Sequence, residues 1–564
     1  MRLPRPPILT HWLLALVLSL FAALLFFLQD HTPVAEKLKV LQVRHVPSEL
    51  LSYNKLGELF HKMGATTIIP NHSFRYKQQF DQPEMENIGP FQKRRQISGA
   101  LIGIGEEHEL MRAAAANLKK AVNDDNITIS VVTEAENIDG EHGILTNYQQ
   151  RGKKAERLAY AAIQKGDTLL QQSAVGFRLH GGTSRDPSLP KHSYRLYFRK
   201  IYGSQWLDVA EIFPKLAALR TLVVHDDIPD GWPLSNVIAN DLYAMAGVNT
   251  TEYSQAEFIL NGVDQGLVWL SPHLSKKYLR QKYNLESMHF HRYRGDKKNS
   301  VFWEDMDKLS TDATLTYEKV RGVIDIEGLM NYFIAVTFSG NTDWSQGVAF
   351  KDAKDDSSTW QWVAWDLDHC FTDWYASRSR NPEREVWQQE GLGLIFKEKL
   401  HRLGNSRLRL FRRLFIEDPS FEDYFIRRYV QILNHDLSPQ QLAALYRKYE
   451  IILEKYDRES NPELLRFFQN RHGHIRYEMR HFFGLPEFQQ LHVESDIIPE
   501  ILVDSYPETL PYTGHYPGGM EVVVELPPKH DSQAGHWLVD GKKAAAGKVT
   551  ISLQKKTTIR WVEQ

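Results

Sequence analysis

Along most of the chain, hydrophobic and polar residues recur with one of two periods. In four segments of the first half they alternate, which is the period of a β-strand with one buried face. A loop rich in glycine and polar residues separates the first two segments. Asn261-Gly262, a dipeptide typical of tight hairpin turns, separates the other two. The pattern predicts two β-hairpins, one of residues 175–180 and 193–198, the other of residues 256–260 and 266–270.

A helix is predicted after these hairpins. Asp325 can accept the first backbone N–H groups of this helix as its N-cap, and Gly340 can end it. Between them the apolar residues form one stripe at helical spacing; these are Ile326, Leu329, Met330, Phe333 and Ile334. The chain then predicts two further strands, residues 347–350 and 360–365, joined by a polar turn in residues 352–358.

The N-terminal part of the chain predicts an α/β pattern, with a strand in residues 100–104, a helix in residues 106–122 and a second strand in residues 127–132. Residues 400–484 have the helical period. Within them Ser438-Pro439-Gln440-Gln441 is a capping box with proline at the first helical position, which marks a helix start.

The many arginines of this helical segment suggest a solvent-exposed basic face; they are Arg407, Arg409, Arg412, Arg413, Arg427 and Arg428. After Pro486 the chain changes to short alternating segments with an Asp540-Gly541 hairpin turn. This last part predicts a small β-sandwich.

Composition limits the class of protein. A chain of 564 residues is too long for one compact core, so several domains are expected. The hydrophobic fraction of 42% and the aromatic fraction of 11% are typical of a globular protein. A net charge of −2 provides no basic field, so nucleic acid is not expected as a partner. The single cysteine, Cys370, excludes an intrachain disulfide and a cysteine-based zinc site.

The N-terminus predicts attachment to a membrane. Residues 12–28 are uncharged and apolar, and with Ile8 and Leu9 the segment reaches the roughly 20 residues that cross a bilayer. Arg2 and Arg5 precede it, which places the N-terminus in the cytoplasm and the bulk of the chain outside, in a periplasmic or extracellular location. The alternative is a cleaved signal peptide, although Pro33 lies at the −3 position of the nearest small-residue site.

Two acidic segments lie near the middle of the chain. Asn341-Thr342-Asp343 follows the predicted helix, and Trp365-Asp366-Leu367-Asp368 follows the later strands. In phosphoryl-transfer enzymes one carboxylate orients or deprotonates the attacking hydroxyl, and another holds Mg²⁺ against the nucleotide phosphates. Asp343, Asp366 and Asp368 are candidates for these two tasks. The alternative is that they are ordinary turn and cap residues.

A polyphosphate also needs cationic partners, and the first hairpin provides them. Arg178 lies on its first strand, and Lys191 precedes its second strand, after the glycine-containing loop. By spacing alone, Lys191 can equally be a solvated loop lysine. His289 and His291 share one face of a predicted strand, as zinc ligands do, but no third ligand is identifiable.

These segments together resemble the signature of the spore-coat-protein-H (CotH) kinase-like family. Residues 176–184 and 189–196 resemble its R-x-x-G-x-S loop and P-K-K-S-Y-R-L segment, and residues 258–270 resemble its N-G-x-x-x-G-x-Y-x-L hairpin. The two acidic segments resemble its catalytic and metal-binding segments, in the same order. The resemblance covers about residues 170–375.

The resemblance implies an atypical protein-kinase-like fold that transfers phosphate from ATP, with Mg²⁺, to protein hydroxyls. It implies that Lys191, with Arg178, contacts the nucleotide phosphates, that Asp343 is the catalytic base, and that Asp366 holds the metal. Asp368 is expected beside Asp366 as a second carboxylate ligand.

The chain departs from the family signature in three places. Leu270-Ser271-Pro272-His273 lacks the usual acidic residue, and His192 replaces the second lysine of P-K-K. Ser345-Gln346-Gly347 replaces the expected asparagine, so Gln346 is the candidate substitute as an oxygen donor to the metal. These departures leave a second hypothesis open, a catalytically inactive pseudokinase that acts as a scaffold or binding module in cell-envelope or surface-polymer assembly.

The sequence thus predicts an α+β protein with an atypical protein-kinase-like central domain. It also predicts an N-terminal α/β region, a helical segment and a small C-terminal β-sandwich. Its partners are expected to be the membrane, through the N-terminal helix, and a protein or envelope-polymer substrate. The predicted domains are a cytoplasmic tip and anchor (1–30), the α/β region (31–165), the kinase-like domain (166–400), its helical extension (401–490) and the β domain (491–564).

Overall fold

The computed structural model describes residues 112–118, 126–226, 234–292, 300–372, 385–396, 406–456, 458–530, 535–544 and 547–563. These residues form two compact units. Unit 1 takes in the described residues of Met1–Asp226 and Ser254–Leu270, and unit 2 those of Asp227–Tyr253 and Ser271–Gln564. The predicted membrane anchor and the predicted strand 100–104 lie outside the described residues. Within the described residues, no helix combines the length and the apolar character needed to cross a bilayer.

Unit 1 is built around a closed seven-stranded barrel. Its strand order is β1-β2-β3-β4-β7-β9-β8. Strand β1 pairs in parallel with β8, and the pairs β1–β2, β2–β3, β3–β4, β4–β7 and β8–β9 are antiparallel. The strands are β1 (Ile127–Val132), β2 (Arg157–Lys165), β3 (Thr168–Leu179), β4 (Tyr194–Tyr197), β5 (Leu207–Asp208), β6 (Ala218–Leu219), β7 (Thr221–His225), β8 (Ser254–Leu260) and β9 (Val263–Pro272), of which β5 and β6 form a separate small sheet.

The predicted hairpins are both confirmed as parts of this barrel. In the second hairpin Asn261 and Gly262 have φ of 51° and 81°, which is the left-handed pair that a type I′ turn requires. The predicted strand 127–132 is β1, and its six residues are all buried. The helical residues 112–118 pack Ala114 and Leu118 against the barrel. The predicted α/β region ends at residue 165. The barrel contains strands from both sides of this position, β1 and β2 before it and β3 after it.

Unit 2 contains most of the helices. They are α1 (Ser235–Met245), α2 (Lys276–Lys282), α3 (Val301–Thr311), α4 (Tyr317–Arg321), α5 (Ile326–Ser339), α6 (Leu392–Phe396), α7 (Ser406–Glu417), α8 (Pro419–Asn434), α9 (Pro439–Lys455) and α10 (Pro462–Phe483). Helix α5 confirms the predicted one, since Asp325 Oδ1 accepts the N–H of Gly328 at 3.0 Å and Gly340 ends it with φ of 65°. Ser438 caps α9, with Pro439 in its first turn, as predicted.

The strands of unit 2 form three sheets. A three-stranded antiparallel sheet consists of β10 (Met288–Arg292), β11 (Val348–Asp352) and β12 (Gln361–Val363), of which the last two confirm the predicted pair. The other two sheets follow α10 and have the orders β16-β13-β21-β18-β19 and β15-β14-β17-β20. Their strands are β13 (Phe488–Glu494), β14 (Glu500–Val503), β15 (Tyr506–Thr509), β16 (Tyr512–Pro517), β17 (Glu521–Glu525), β18 (Gly535–Val539), β19 (Lys542–Lys543), β20 (Lys548–Ser552) and β21 (Thr557–Glu563).

The prediction of a solvent-exposed arginine face on the helices was wrong for part of the set. Arg409 and Arg427 are exposed, but Arg412, Arg413 and Arg428 are half-buried. Arg413 Nη1 donates to the backbone carbonyl of Ser310 at 2.8 Å, and Arg428 Nη1 donates to the hydroxyl of Tyr506 at 2.6 Å. These arginines join distant segments, because their long apolar stems can be buried while the guanidinium finds a polar acceptor.

Candidate functional site

The first acidic residue, Asp343, follows the end of α5. Gly340 ends that helix, and the buried Asn341 comes next. Asn341 Oδ1 accepts the backbone N–H of Asp343 at 3.0 Å, and Asn341 Nδ2 donates to the hydroxyl of Tyr243 at 3.2 Å. A buried amide therefore holds the backbone of Asp343 at the end of the helix.

Asp366 lies in a tight bend after β12. Its φ of 65° is in the left-handed region, which is uncommon for a residue with a side chain. Leu367 donates its backbone N–H to Asn236 Oδ1 at 3.0 Å, and Ser235 Oγ donates to the carbonyl of Asp368 at 3.2 Å. The first turn of α1 thus holds the bend on both sides of Leu367. A sparsely populated backbone conformation that its surroundings maintain is a feature of functional sites.

The side chain of Gln346 links the two aspartates. Its Nε2 donates to Asp343 Oδ2 at 2.8 Å, and the same side chain is hydrogen-bonded to Asp366. In this arrangement the amide nitrogen of Gln346, rather than its oxygen, faces Asp343. Asp343 and Asp366, which are far apart in sequence, are brought together through one side chain. We call Asp343, Gln346, Asp366 and Asp368 the acidic cluster.

Negative charge is crowded in the acidic cluster. Burial, followed by the charges of Asp368 and Asp343, raises the pKa of Asp366 from 3.8 to about 7. The hydrogen bond from Gln346 and the nearby His369 act in the opposite direction. A bound cation would relieve this repulsion, because an opposite charge within a few ångströms favours the ionised carboxylate.

Cys370 lies beside the acidic cluster and is fully buried. Burial above all, with a smaller contribution from Asp368, raises the pKa of its thiol to about 12. Since only a thiolate is a strong nucleophile, this cysteine is not activated.

Arg471, which the sequence did not single out, supports the helix end that carries Asp343. Its side chain is completely buried on α10. Nε and Nη2 donate to the carbonyls of Phe338 and Thr337 in the last turn of α5, both at 2.7 Å. Nη1 donates to the carbonyls of Trp387 and Gln389, at 2.7 Å and 2.6 Å. Helix C-termini have unsatisfied carbonyls, and a cation there also interacts favourably with the helix dipole.

The other predicted site residues lie in unit 1. Lys191 Nζ donates to the carbonyl of Gln265 at 2.7 Å and lies 4.0 Å from Asp226 Oδ2. Gln265 lies near the start of β9, so Lys191 joins two of the motif segments within this unit. Arg178 donates from Nη1 to the carbonyl of Gly152 at 2.7 Å, and its guanidinium stacks over the ring of Tyr197 at 4.8 Å.

The ligand types of the acidic cluster suit a hard cation. Mg²⁺ takes oxygen ligands and is usually bound through one or two carboxylates, several waters and the substrate phosphates. Asp366 and Asp368 offer such a pair. Among the residues that the structure describes, no group of three or more His, Cys, Asp or Glu side chains is placed to hold a metal ion. His291, of the pair considered for zinc, stacks on Phe302 with ring centroids 4.2 Å apart.

Comparison with known proteins identifies the family. No curated protein matches the chain. The family model described as CotH kinase protein matches residues 177–466, which is just over half of the chain. The match contains the loop after β3, Lys191, the β8–β9 hairpin and the whole acidic cluster. The chain therefore belongs to the CotH kinase family.

Proposed function

We propose that the protein transfers phosphate from ATP to protein hydroxyls with Mg²⁺. The observation that carries this proposal is the link from Asp343 through Gln346 to Asp366. Asp343 follows α5 and Asp366 follows β12. The hydrogen bonds of Gln346 therefore join a candidate base and a candidate metal ligand that come from two different elements. Phosphoryl transfer needs these two tasks on separate carboxylates, because the base must reach the hydroxyl while the metal ligand faces the phosphates.

In the proposed reaction Asp343 accepts the proton of the attacking hydroxyl. The buried Asn341 fixes the backbone of Asp343, and Gln346 orients one of its carboxylate oxygens. A base held in this way loses little entropy when the hydroxyl arrives, which is how positioning lowers a barrier.

Asp366 and Asp368 would hold Mg²⁺. When bound, Mg²⁺ supplies charge neutralisation for the phosphates of the donor. Burial, followed by the charges of Asp368 and Asp343, raises the pKa of Asp366, and a bound cation would favour its ionised form, which supports this assignment. The amide of Gln346 can turn to present its oxygen instead of its nitrogen, because the two orientations differ only in the hydrogen bonds they make.

The family resemblance gives Lys191 and Arg178 the task of contacting the nucleotide phosphates. We further propose that the chain is anchored by residues 12–28, with its N-terminus in the cytoplasm and the remainder outside, and that its substrate is a protein or an envelope polymer. ATP is scarce outside the cytoplasm, so this location requires exported ATP or another phosphoryl donor.

Labelled ATP tests the proposal. The purified chain with Mg²⁺ is expected to transfer label to itself or to an added acceptor protein, and Asp366→Asn is expected to abolish the transfer. Asp355→Asn is the matched control, because Asp355 lies in an exposed turn of the same unit, where it accepts from Ser357. Equal labelling by the wild type and Asp366→Asn would refute the assignment.

A second candidate function is a pseudokinase that binds a partner without transferring phosphate. The observation that favours it is the hydrogen bond from Gln346 to Asp343, which occupies an oxygen of the candidate base where the family has asparagine. The departures at Ser271-Pro272-His273 point the same way.

Thermal shift with Mg²⁺ and ATP separates the candidates when it is combined with the labelling assay. Stabilisation together with transfer supports the kinase. Stabilisation without transfer supports a nucleotide-binding pseudokinase, and no response to nucleotide supports a scaffold.

A further inference from the structure

Helix α1 contacts both acidic segments through side chains on one of its faces. Asn236 and Tyr243 are seven positions apart on this helix, which is about two turns, so they share a face. Asn236 Oδ1 accepts the backbone N–H of Leu367 in the second acidic segment at 3.0 Å. The hydroxyl of Tyr243 accepts from Nδ2 of Asn341 in the first acidic segment at 3.2 Å. One face of α1 therefore contacts the segment of the candidate base and the segment of the candidate metal ligands.

The hydroxyl of Tyr243 has two further partners near the acidic segments. Ser339 Oγ lies 3.3 Å from it, and Cys370 Sγ donates to it at 3.9 Å. Ser339 is the last residue of α5, and Cys370 comes shortly after the second acidic segment. The backbone N–H of Phe371 also donates to the carbonyl of Ser339 at 2.9 Å. The tyrosine hydroxyl thus lies where the end of α5 meets the segment that follows Asp368.

Burial makes these hydrogen bonds matter. Tyr243, Ser339, Asn341 and Cys370 are all fully buried. Burial, followed by electrostatic interaction with Cys370 and Tyr332, raises the pKa of Tyr243 well above its ordinary value, so its hydroxyl keeps the proton. A phenylalanine ring would fill the same space without the cost of burying a hydroxyl group. What the hydroxyl adds is therefore its contact with residues in or beside the acidic segments.

Two consecutive hydrogen bonds connect the Tyr243 hydroxyl with Asp343. Asn341 uses its Nδ2 for Tyr243 and its Oδ1 for the backbone N–H of Asp343. The amide cannot simply turn over, because its NH₂ group would then face the backbone N–H of Asp343. Without the tyrosine hydroxyl, Nδ2 of Asn341 would be a buried donor that has lost its acceptor, which is unfavourable. The side chain would then shift and loosen its bond to Asp343.

We propose that Tyr243 is a positioning residue, whose hydroxyl acts through Asn341 to fix Asp343 relative to Asp366 and Asp368. Its effect on phosphoryl transfer rests on the proposed function, whereas its effect on the backbone of Asp343 does not. A displacement of about 1 Å in a reacting group can slow an enzyme by roughly 100-fold. A buried hydroxyl that restrains the candidate base is therefore expected to affect the rate more than it affects binding.

The first test is single-turnover transfer from labelled ATP with Mg²⁺ by the full chain carrying Tyr243→Phe. We expect transfer to be about 10- to 100-fold slower. The affinities for ATP and Mg²⁺ should stay close to those of the wild type, because the first turn of α1 still holds the segment of Asp366. Tyr516→Phe is the matched control. It removes another buried hydroxyl of unit 2, which is hydrogen-bonded to the hydroxyl of Tyr512 at 2.6 Å, and it should keep the wild-type rate.

Hydrogen exchange followed by mass spectrometry tests the position of Asp343 without any transfer. The N–H of Asp343 is bonded to Asn341, so it should exchange about five- to tenfold faster in Tyr243→Phe than in Tyr516→Phe, as expected when one buried hydrogen bond is lost.

A double variant tests whether the hydroxyl acts through Asn341. Asn341→Ala removes the amide that relays the effect, so adding Tyr243→Phe to it should slow transfer no further. A general loss of stability would instead make the two effects add.

Three results would overturn the inference. They are transfer by Tyr243→Phe at the rate of Tyr516→Phe, equal exchange of the Asp343 amide in these two variants, and additive losses in the double variant. A wild type that transfers no label would instead refute the proposed function, and hydrogen exchange alone would then decide the inference. Phenylalanine fills the space of the tyrosine ring, so Tyr243→Phe is expected to fold, and its melting curve checks this directly.

Discussion

Replacing Arg471 should loosen the end of α5 that precedes the catalytic candidate Asp343. Arg471→Met keeps much of the apolar stem and removes the guanidinium, whereas Arg471→Lys keeps the charge but not the planar fork. In the wild type the guanidinium makes four hydrogen bonds to backbone carbonyls, two of them in the last turn of α5.

The magnitude follows from those four bonds. A hydrogen bond to a charged group contributes roughly 1.5–3 kcal/mol, but bonds that share one side chain are not additive. Removing one partner of a buried charge pair typically costs about 3–5 kcal/mol. Arg471 also interacts with the buried Glu478, so we expect Arg471→Met to fall in this range. The ammonium of Arg471→Lys can reach some of the carbonyls but not all, because they lie in different directions, so we expect roughly half of that loss.

Hydrogen exchange followed by mass spectrometry is the suitable assay, because a chain with two units need not unfold in one step. In Arg471→Met the amides at the end of α5 should exchange about 100- to 3,000-fold faster, since each 1.4 kcal/mol is a factor of about ten. Arg480→Met is the control, because Arg480 lies on the same helix but is exposed.

Equal exchange at the end of α5 in Arg471→Met and Arg480→Met would refute the reasoning. If the reasoning is correct, Arg471→Lys should also lower the transfer rate more than it lowers nucleotide affinity. The reason is that Arg471→Lys would disturb the position of Asp343 but would not change the predicted contacts of Lys191 with the nucleotide.

Three further predictions concern pH, backbone geometry and metal. Burial, followed by the charge of Arg476, lowers the pKa of His472 to about 4, so the unfolded chain binds a proton below pH 6.5 that the folded chain does not. The free energy of unfolding should therefore fall by roughly 3 kcal/mol between about pH 6.5 and pH 4. Urea titrations should show a smaller pH dependence for His472→Gln. His481→Gln, at an exposed position, should keep the pH dependence of the wild type. Gly347 has φ of 120°, and an added Cβ would lie 2.6 Å from the carbonyl oxygen of Val363. Gly347→Ala should therefore lower both the melting temperature and the transfer rate. An unchanged transfer rate would contradict the place of Gly347 beside the acidic cluster. Mg²⁺ should raise the melting temperature of the wild type but not of Asp366→Asn, and EDTA should reverse the effect; an equal rise in both would mean that the metal binds elsewhere.

Features encoded by short segments of sequence were predictable. Asn261-Gly262 specifies a turn with two left-handed residues, and the structure has that turn. Asp325 and Gly340 bound α5 because capping depends on a few neighbouring residues. The candidate residue Asp343 was located for the same reason, since it follows directly on a helix end that the sequence marks clearly.

Features that depend on the folded chain were not predictable. Arg471 contacts carbonyls more than 130 positions away in sequence, and nothing around it distinguishes it from the exposed Arg480. The parallel pairing of β1 with β8 closes the barrel across a similar separation. The link between Asp343 and Asp366 through Gln346 depends on two loops meeting in space. For such contacts the residue type permits many partners, and only the tertiary structure selects one.

The most direct test of the central claim is single-turnover transfer by Asp343→Asn. We predict that this variant binds Mg²⁺ and ATP with nearly the affinity of the wild type but transfers label at least about 100-fold more slowly, since a general base contributes roughly that much or more. Transfer by Asp343→Asn at the wild-type rate would contradict the assignment of the acidic cluster as the catalytic site.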